Sequence, residues 1–111
     1  MGAVPQPFNV DVQHESTRAV VRPHGELDLA TVPELASRIA VLREAGCDDL
    51  VLDLRGLSFL DSTGLRLLLE NRQDAEQDGW RFSIVDGERP ISRVLEVSGV
   101  SPLFARAQLG P

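Results

Sequence analysis

The sequence predicts a single α/β domain whose sheet is mixed but mostly parallel, with an antiparallel hairpin at its N-terminal end and helices interspersed between the later strands. Three observations lead to this fold class. The chain has 111 residues, which is enough for one hydrophobic core of ordinary size. Two strand-like segments open it without a helix between them, and helix-like and strand-like segments then alternate to its end. Strands joined through a helix run parallel, whereas a tight turn makes them antiparallel.

The opening hairpin is predicted from residues 8–13 and 18–21, which are rich in apolar and β-branched side chains. The polar residues 14–17 between them supply the turn. Pro23 follows, and its missing N–H would leave a gap in the hydrogen-bond ladder of a central strand. We therefore expect the second strand to end early or to bulge at Pro23.

A helix and a buried strand come next. Residues 31–45 carry apolar side chains at helical spacing, with Thr31 and Glu34 in the positions of a capping box and Gly46 placed to end the helix. Residues 50–54 are almost continuously apolar, as in strands that are covered on both faces. This strand is predicted to lie in the middle of the sheet.

The second half of the chain repeats the alternation. After a loop over residues 55–60, residues 63–78 show helical spacing, and residues 80–85 alternate like a strand. Pro90 stands at the first position of a third helix, and residues 103–107 form a last short strand. The predicted order of elements is therefore β-β-α-β-α-β-α-β.

The composition excludes several classes of function. The formal net charge is −6, which repels the phosphates of nucleic acids and of anionic membranes, so we expect neither as a ligand. All eleven basic residues are arginines, so the chain lacks the phosphate-binding lysine of a P-loop and the amine of a Schiff base. Cys47 is the only cysteine, which excludes an internal disulfide. We expect no cofactor and no metal.

The hydropathy pattern predicts a cytoplasmic protein. No apolar run is long enough to span a membrane, and residues 1–7 have neither the basic nor the apolar part of a secretory signal. Residues 1–7 are expected to be a flexible N-terminal segment, and residues 8–109 are expected to form the domain.

Two loops, residues 25–31 and 55–62, should lie at one edge of the sheet, since the carboxyl ends of its parallel strands meet there. They bring small hydroxyl and carboxylate side chains to the starts of two helices: Glu26, Asp28, Thr31, Asp61, Ser62 and Thr63. The simplest interpretation is that one residue at each helix start is an N-cap.

The start of the second helix holds more polar side chains than a cap requires. Asp61, Ser62 and Thr63 are three capping residues where one suffices, and neither hydroxyl is followed three residues later by the acid of a capping box. Gly64 occupies the first helical turn, where glycine costs about 1 kcal/mol relative to alanine. Close approach of a partner to the backbone would explain this glycine, so we expect a partner-binding surface here.

Two motifs carry a family resemblance. Residues 25–28, Gly-Glu-Leu-Asp, and residues 57–65, Leu-Ser-Phe-Leu-Asp-Ser-Thr-Gly-Leu, resemble the STAS domain of bacterial anti-sigma factor antagonists. The likeness extends from the hairpin to about Phe104. It implies a STAS-like fold and a non-enzymatic protein whose unphosphorylated form binds and sequesters an anti-sigma factor serine kinase. It also implies that phosphorylation abolishes this binding and so regulates transcription that depends on a sigma factor, with a serine phosphatase as a further partner.

By this resemblance Ser62 is the phosphoacceptor, and Asp28 and Asp61 match acidic positions of the family. A phosphate would add about −1.5 to −2 charges to a contact surface, where repulsion and desolvation would release a docked partner. Arg66, four residues further along the helix, would pair with the phosphate or with an acid of the partner, or would be a solvated arginine. Thr63 stands where a second serine is common.

Two other functions remain open. A STAS module that serves a transporter, a stress-signalling assembly or a lipid-trafficking complex would have the same fold. A hydrolase would use Ser62 as the nucleophile, His24 as the base and Asp28 to orient it, although Ser62 lacks a Gly-x-Ser-x-Gly context. His14, His24 and Cys47 have no recognisable metal-ligand spacing.

Overall fold

The computed structural model describes residues 7–110, which form six β-strands and three α-helices. In chain order these are β1 (Asn9–Glu15), β2 (Arg18–Leu27), α1 (Val32–Glu44), β3 (Asp49–Asp53), β4 (Leu57–Leu60), α2 (Ser62–Asp78), β5 (Arg81–Val85), α3 (Ile91–Val97) and β6 (Ala105–Arg106). Short 3-10 turns at Leu54–Gly56 and Ser101–Leu103 precede β4 and β6. The segment predicted as a flexible N-terminus lies outside the described residues, except for Pro7.

The sheet confirms the predicted fold class. Its strands lie in the order β1, β2, β3, β5, β6, and β4 pairs with the far end of β2. β1 and β2 are antiparallel, whereas the other paired strands of the described chain are parallel. β3 lies between β2 and β5, as its continuous apolar sequence predicts, and Leu50, Val51 and Leu52 are fully buried there.

β2 continues through Pro23 to Leu27, so the expected early end of this strand is wrong. The strand changes its neighbour near the proline, because it pairs with β3 over Arg18–Val21 and with β4 from Gly25 onwards. Pro23 lies between these two stretches, where neither β3 nor β4 requires the N–H that proline lacks. The irregularity of the strand falls between Gly25 and Glu26 instead.

The loop predicted over residues 55–60 contains β4. Leu57 and Leu60 of this strand are buried, whereas Ser58 and Phe59 between them are exposed. Hydrophobic periodicity does not reveal such a strand, because the pattern is neither the alternation of a half-buried strand nor the continuous run of a buried one. β4 is nevertheless important for the site, since it carries the chain to the start of α2 beside the end of β2.

The hydrophobic core joins the sheet to the helices. Fully buried leucines from each helix, Leu35 of α1, Leu68 of α2 and Leu95 of α3, belong to the same cluster as Leu52 and Ile84 of the sheet. Burial of each such side chain contributes about 1.5–3 kcal/mol, so the packing holds the starts of α1 and α2 in place against the strand ends. No helix among the described residues has the length and apolarity needed to cross a membrane.

Candidate functional site

The ends of β2 and β4 meet at one edge of the sheet, so the two predicted loops, residues 25–31 and 55–62, are neighbours as expected. Leu27 and Leu60, the last residues of the two strands, are paired, and the backbone N–H of Asp61 donates to the carbonyl of Leu27 at 3.3 Å. The chain then enters α1 from β2 and α2 from β4, so the starts of both helices lie together. We call this surface, residues 26–31 and 58–66, the β2–β4 edge.

Asp61 is the N-cap of α2. Its Oδ1 atom accepts hydrogen bonds from the backbone N–H groups of Thr63 at 2.9 Å and Gly64 at 3.0 Å. Its backbone is extended, with φ −104° and ψ −173°, and its carboxylate lies at the positive end of the helix dipole. This one carboxylate performs the capping, so the hydroxyls of Ser62 and Thr63 are not needed for it.

Ser62 is the first residue of α2, and its side chain is exposed. Its hydroxyl forms no hydrogen bond with any residue in the described part of the chain. Thr63 beside it is half-buried. Arg66, one helical turn further along, is exposed and makes no ion pair within residues 7–110. The start of α2 therefore presents an unbonded hydroxyl and an unpaired guanidinium to solvent.

Gly64 is buried, and the space beside it is filled by the protein itself. A Cβ atom at this position would lie 2.5 Å from Leu60 Cδ1 and 3.0 Å from the carbonyl oxygen of Leu27. The glycine thus allows the first turn of α2 to pack directly on the ends of β2 and β4. The close approach expected from the sequence is therefore internal, and the interpretation that a partner requires this glycine is wrong.

Two side chains that bond to the backbone hold the loop between β2 and α1. Asp28 Oδ1 accepts from the N–H groups of Ala30 at 3.0 Å and Thr31 at 3.2 Å. Thr31 Oγ1 donates to the carbonyl of Glu26 at 2.7 Å and accepts from the N–H of Asp28 at 2.9 Å. The predicted capping box of Thr31 and Glu34 is wrong, because the Thr31 side chain bonds back towards β2 and makes no cap bond to α1.

The β2–β4 edge exposes two large apolar side chains that the sequence analysis did not identify. Leu29, in the loop before α1, is 74% exposed, and Phe59 of β4 is 44% exposed. Phe59 is paired with Glu26, whose carboxylate is also exposed. Contiguous apolar patches rimmed by polar residues mark protein-binding surfaces, and these two side chains are the large apolar ones that this edge exposes. The sequence feature that could have indicated this exposed apolar surface was Leu29, an apolar residue in a loop predicted to carry polar side chains.

A buried ion cluster fixes the turn that leads into β4. The side chain of Asp53 is fully buried, and its Oδ2 atom lies 2.7 Å from Arg22 Nη2 and 3.0 Å from Arg55 Nη2. Its Oδ1 atom accepts from the backbone N–H of Arg55 and so caps the 3-10 turn. Burial raises the pKa of Asp53, but the hydrogen bonds from Arg55 and the pairing with Arg22 outweigh burial and hold this pKa below its ordinary value. The sequence feature that could have indicated this ion cluster was Asp53, an aspartate within an otherwise apolar strand.

The structure does not assemble the triad of the hydrolase alternative. His24 Nε2 lies 2.8 Å from Asp11 Oδ2 within the hairpin, and Asp28 is engaged with the loop backbone. Neither side chain is hydrogen-bonded to Ser62. Within residues 7–110, no group of three or more His, Cys, Asp or Glu side chains is arranged to hold a metal ion.

Comparison with known proteins agrees with this architecture. The family model of the STAS domain matches residues 9–109. An anti-sigma-B factor antagonist of Staphylococcus aureus is 30% identical over 97 residues, which cover 87% of this chain and 90% of that protein. The crystal structure of an anti-sigma factor antagonist from Mycobacterium paratuberculosis has a TM-score of 0.80 and 26% identity, over 96% of this chain and 92% of that one.

A further solved structure supports the fold alone. The Bacillus cell fate determinant SpoIIAA in its phosphorylated form has a TM-score of 0.68 at 23% identity, and the match covers 92% of each chain. The family model spans nearly all the described residues, and it includes both motifs that suggested the resemblance. On these grounds the chain belongs to the STAS domain family.

Proposed function

We propose that this protein is an anti-sigma factor antagonist. Its unphosphorylated form binds and sequesters an anti-sigma factor that is also a serine kinase, and phosphorylation of Ser62 by that kinase abolishes the binding. The sigma factor is free while the antagonist is unmodified and is inhibited again once the antagonist is phosphorylated. The observation that carries this proposal is the hydroxyl of Ser62 at the start of α2. It is exposed and has no hydrogen bond within residues 7–110, and Asp61 already serves as the cap.

The position of Ser62 suits a modification that acts on binding. Its hydroxyl holds no hydrogen bond among the described residues, so a phosphate on it removes no bond that the fold uses. The positive end of the α2 dipole favours an anion at this place. Asp61 occupies the N–H groups of Thr63 and Gly64, so the phosphate would extend outwards from the helix. We expect the phosphorylated domain to remain folded.

The surroundings of Ser62 suit a docked protein. The proposed contact surface combines the apolar side chains of Leu29 and Phe59 with polar residues of the β2–β4 edge: Glu26, Asp28, Thr31, Asp61, Ser62, Thr63 and Arg66. Gly64 contributes through packing, because it brings α2 close to the strand ends. The two apolar side chains would supply most of the binding free energy, and the polar ones its specificity.

Phosphorylation would oppose docking through charge. The phosphate adds about −1.5 to −2 charges next to Asp61 and near the exposed carboxylate of Glu26. A partner that covers this surface would have to remove the phosphate from water, at a cost that the neutral hydroxyl does not impose. Arg66 lies four residues beyond Ser62 on the same face of the helix and would pair with the phosphate or with an acid of the partner.

The names of relatives support the sigma-factor assignment. The S. aureus relative is named for antagonism of an anti-sigma-B factor, and the solved M. paratuberculosis relative is named an anti-sigma factor antagonist. We expect this chain to act by binding, in the cytoplasm, and to depend on a separate kinase and a separate serine phosphatase for modification and reversal.

The test uses the cognate anti-sigma factor with ATP and mass spectrometry of the intact product. The wild-type protein should gain one phosphate, whereas Ser62→Ala should gain none and should still bind the kinase. Ser98→Ala is the matched control, since Ser98 is an exposed serine outside the β2–β4 edge, and it should be modified like the wild type. Phosphate that persists on Ser62→Ala would contradict the proposal.

A further inference from the structure

All three helices of the described chain cover one face of the sheet. They connect β2 to β3, β3 by way of β4 to β5, and β5 to β6, so each crossover adds a strand in the same direction. Because such crossovers are right-handed, helices that follow one direction stay on one side of the sheet. Leu35 of α1, Leu68 of α2 and Leu95 of α3 accordingly share one core cluster. Within residues 7–110, the opposite face of the sheet has no helix over it.

A row of charged side chains crosses the face opposite the helices. Strand pairing sets four side chains of alternating sign in line from β1 to β5: Glu15, Arg18, Asp49 and Arg81. The residues that follow the last three along their strands belong to the core: Ala19, Leu50 and Phe82. Because successive side chains of a strand point to opposite sides, the four charged ones point away from the helices. We call these four side chains the charged row.

The charged row is incompletely paired within the chain. Its one ion pair among residues 7–110 joins Arg18 Nε to Asp49 Oδ2 at 3.9 Å, which is too long for a hydrogen bond. Glu15 and Arg81, at the two ends of the row, are exposed and form no ion pair in that range. A depression of about 360 Å³ is lined by Arg18, Asp49 and Arg81, so solvent reaches the row. One acid and one base of the row are therefore available to a partner.

The charged row is complementary to itself when its direction is reversed. Two sheets can stack face to face around a two-fold axis that runs parallel to their strands, between β2 and β3. β1 of each copy then lies opposite β5 of the other, so Glu15 faces Arg81 of the second copy. β2 lies opposite β3, so Arg18 faces Asp49 of the second copy. Every charge of the row meets the opposite sign, and both unpaired side chains gain a partner.

The next row of side chains on this face fits the same arrangement. It consists of Gln13, Val20, Val51 and Ser83, which are paired in this order. The two-fold axis places Gln13 against Ser83, which is a polar pair. It places Val20 against Val51, which is an apolar pair. Val51 is fully buried and Val20 is half-buried, so little apolar surface remains to be covered and the charged row supplies the specificity.

We propose that this chain forms a weak symmetric dimer in which the charged rows of two copies face each other. A second copy is favoured over other occupants because the row carries two charges of each sign, although the chain as a whole has a net charge of −6. A strongly basic or strongly acidic partner would meet as many like charges as opposite ones. The four strands span about 20 Å, which places this contact among the small interfaces of weak complexes.

The dimer leaves the proposed switch accessible. Arg18 and Leu27 are the first and last residues of β2 and lie about 30 Å apart, and Ser62 lies near the Leu27 end. Because the two-fold axis is parallel to the strands, both β2–β4 edges lie at the same end of the dimer. The dimer therefore presents two proposed docking surfaces side by side to a partner that has two binding sites.

Sedimentation at increasing protein concentration tests the dimer. The wild type should pass from one copy to two, and added salt should reverse this change because exposed charges are screened. Glu15→Arg and Arg81→Glu should each weaken the dimer about tenfold or more, because like charges then meet at two places. They change the net charge in opposite directions, so net charge does not explain a loss in both. A wild type that stays monomeric at every concentration would overturn the proposal.

A mixture of the two variants provides the sharpest test. In a mixed dimer of Glu15→Arg with Arg81→Glu, residues 15 and 81 carry opposite charges at both contacts, so the mixture should dimerise although each variant alone does not. The double variant should dimerise like the wild type for the same reason. Within one chain it still sets like charges beside Arg18 and Asp49, so recovery of the dimer reports on contact between copies. A mixture that stays monomeric would overturn the proposed geometry.

Two further comparisons complete the test. Glu96→Arg and Arg93→Glu are matched controls, because they reverse exposed charges on α3, which lies on the helical side of the sheet. Both should dimerise like the wild type, and a loss equal to that of the row variants would overturn the proposal. Ser62→Asp should also keep the dimer, and Arg81→Glu should still be phosphorylated by the anti-sigma factor. The dimer and the proposed switch can therefore fail independently.

Discussion

The carboxylate of Asp61 caps the helix that Ser62 begins, with its Oδ1 atom 2.9 Å from the backbone nitrogen of Thr63. Asp61 thus stabilises the start of the helix, and the adjacent Ser62 carries the exposed hydroxyl. If Ser62 were itself the cap, its modification would break the cap bond. In this protein, modification of Ser62 breaks no hydrogen bond of the described chain, so it acts on the surface and leaves the fold in place.

Substitution of Ser62 by aspartate should separate stability from binding. Ser62→Asp should unfold at nearly the wild-type temperature, because the hydroxyl holds no hydrogen bond within residues 7–110 and an acid in the first helical turn suits the dipole. It should bind the anti-sigma factor more weakly, because it adds charge to the contact surface. Asp61→Ala is the comparison variant. It removes the N-cap of α2 and should lower the free energy of unfolding by about 1 kcal/mol. Thermal unfolding and a binding titration measure both effects, and a large loss of stability in Ser62→Asp would mean that the serine is a cap.

Gly64→Ala should destabilise the protein although alanine is the better helix former. The added methyl group meets Leu60 Cδ1 and the carbonyl of Leu27, and overpacking of this kind costs about 1–3 kcal/mol. The higher helix propensity of alanine offsets about 1 kcal/mol of this cost. Urea unfolding measures the difference in the free energy of unfolding between Gly64→Ala and the wild type. Gly110→Ala is the control, since a Cβ atom there has no neighbour within 4 Å among the residues that the structure describes. A more stable Gly64→Ala would show that the packing at the start of α2 can relax.

Leu29→Ser and Phe59→Ser should weaken the binding of the anti-sigma factor about tenfold each, because a few side chains near the centre of a contact supply most of its free energy. Leu29 is 74% exposed, so Leu29→Ser should change the free energy of unfolding by no more than about 0.5 kcal/mol. The matched control is Val97→Ser, which removes a 72% exposed apolar side chain from α3. Loss of binding in the control alone would place the contact surface elsewhere.

Asp53→Asn should reveal the buried ion cluster through its pH dependence. The folded-state pKa of Asp53 lies below its ordinary value of about 3.8, so its ionised form stabilises the folded state above about pH 4. That contribution is lost as the pH falls through the lowered pKa. At neutral pH the variant should be less stable by about 2 kcal/mol.

Urea unfolding across the pH range measures this effect. The difference in the free energy of unfolding between the wild type and Asp53→Asn should be constant from about pH 5 to pH 8 and should shrink below about pH 4. A difference that grows on acidification would contradict the lowered pKa.

Local patterns predicted most of the fold. α1 and α2 begin and end within about two residues of their predicted bounds, because helical spacing sustained over several turns is a strong signal and glycine follows both helices closely. β4 was missed because it has four residues and buries only Leu57 and Leu60. The path of β2 through Pro23 depends on where β3 and β4 end, which a local pattern does not contain.

The members of the site were predicted more successfully than their roles. The cluster from Asp61 to Gly64 is local in sequence, so its position at a helix start could be recognised. The roles of Thr31 and Gly64 depend on carbonyl oxygens of β2, which that local reasoning could not place. Asp53 is a similar case, because its partner Arg22 lies 31 residues away along the chain.

β2 runs from the hairpin to the β2–β4 edge as one uninterrupted strand although its neighbour changes from β3 to β4. Successive side chains of a strand point to opposite sides, so insertion or deletion of a single residue near Pro23 would exchange the orientations of Glu26 and Leu27. A buried leucine would enter water, and a carboxylate would enter the interior. Changes of chain length, in natural relatives or in engineered sensors, should therefore be tolerated at the hairpin turn of Ser16 and Thr17 and rejected along β2.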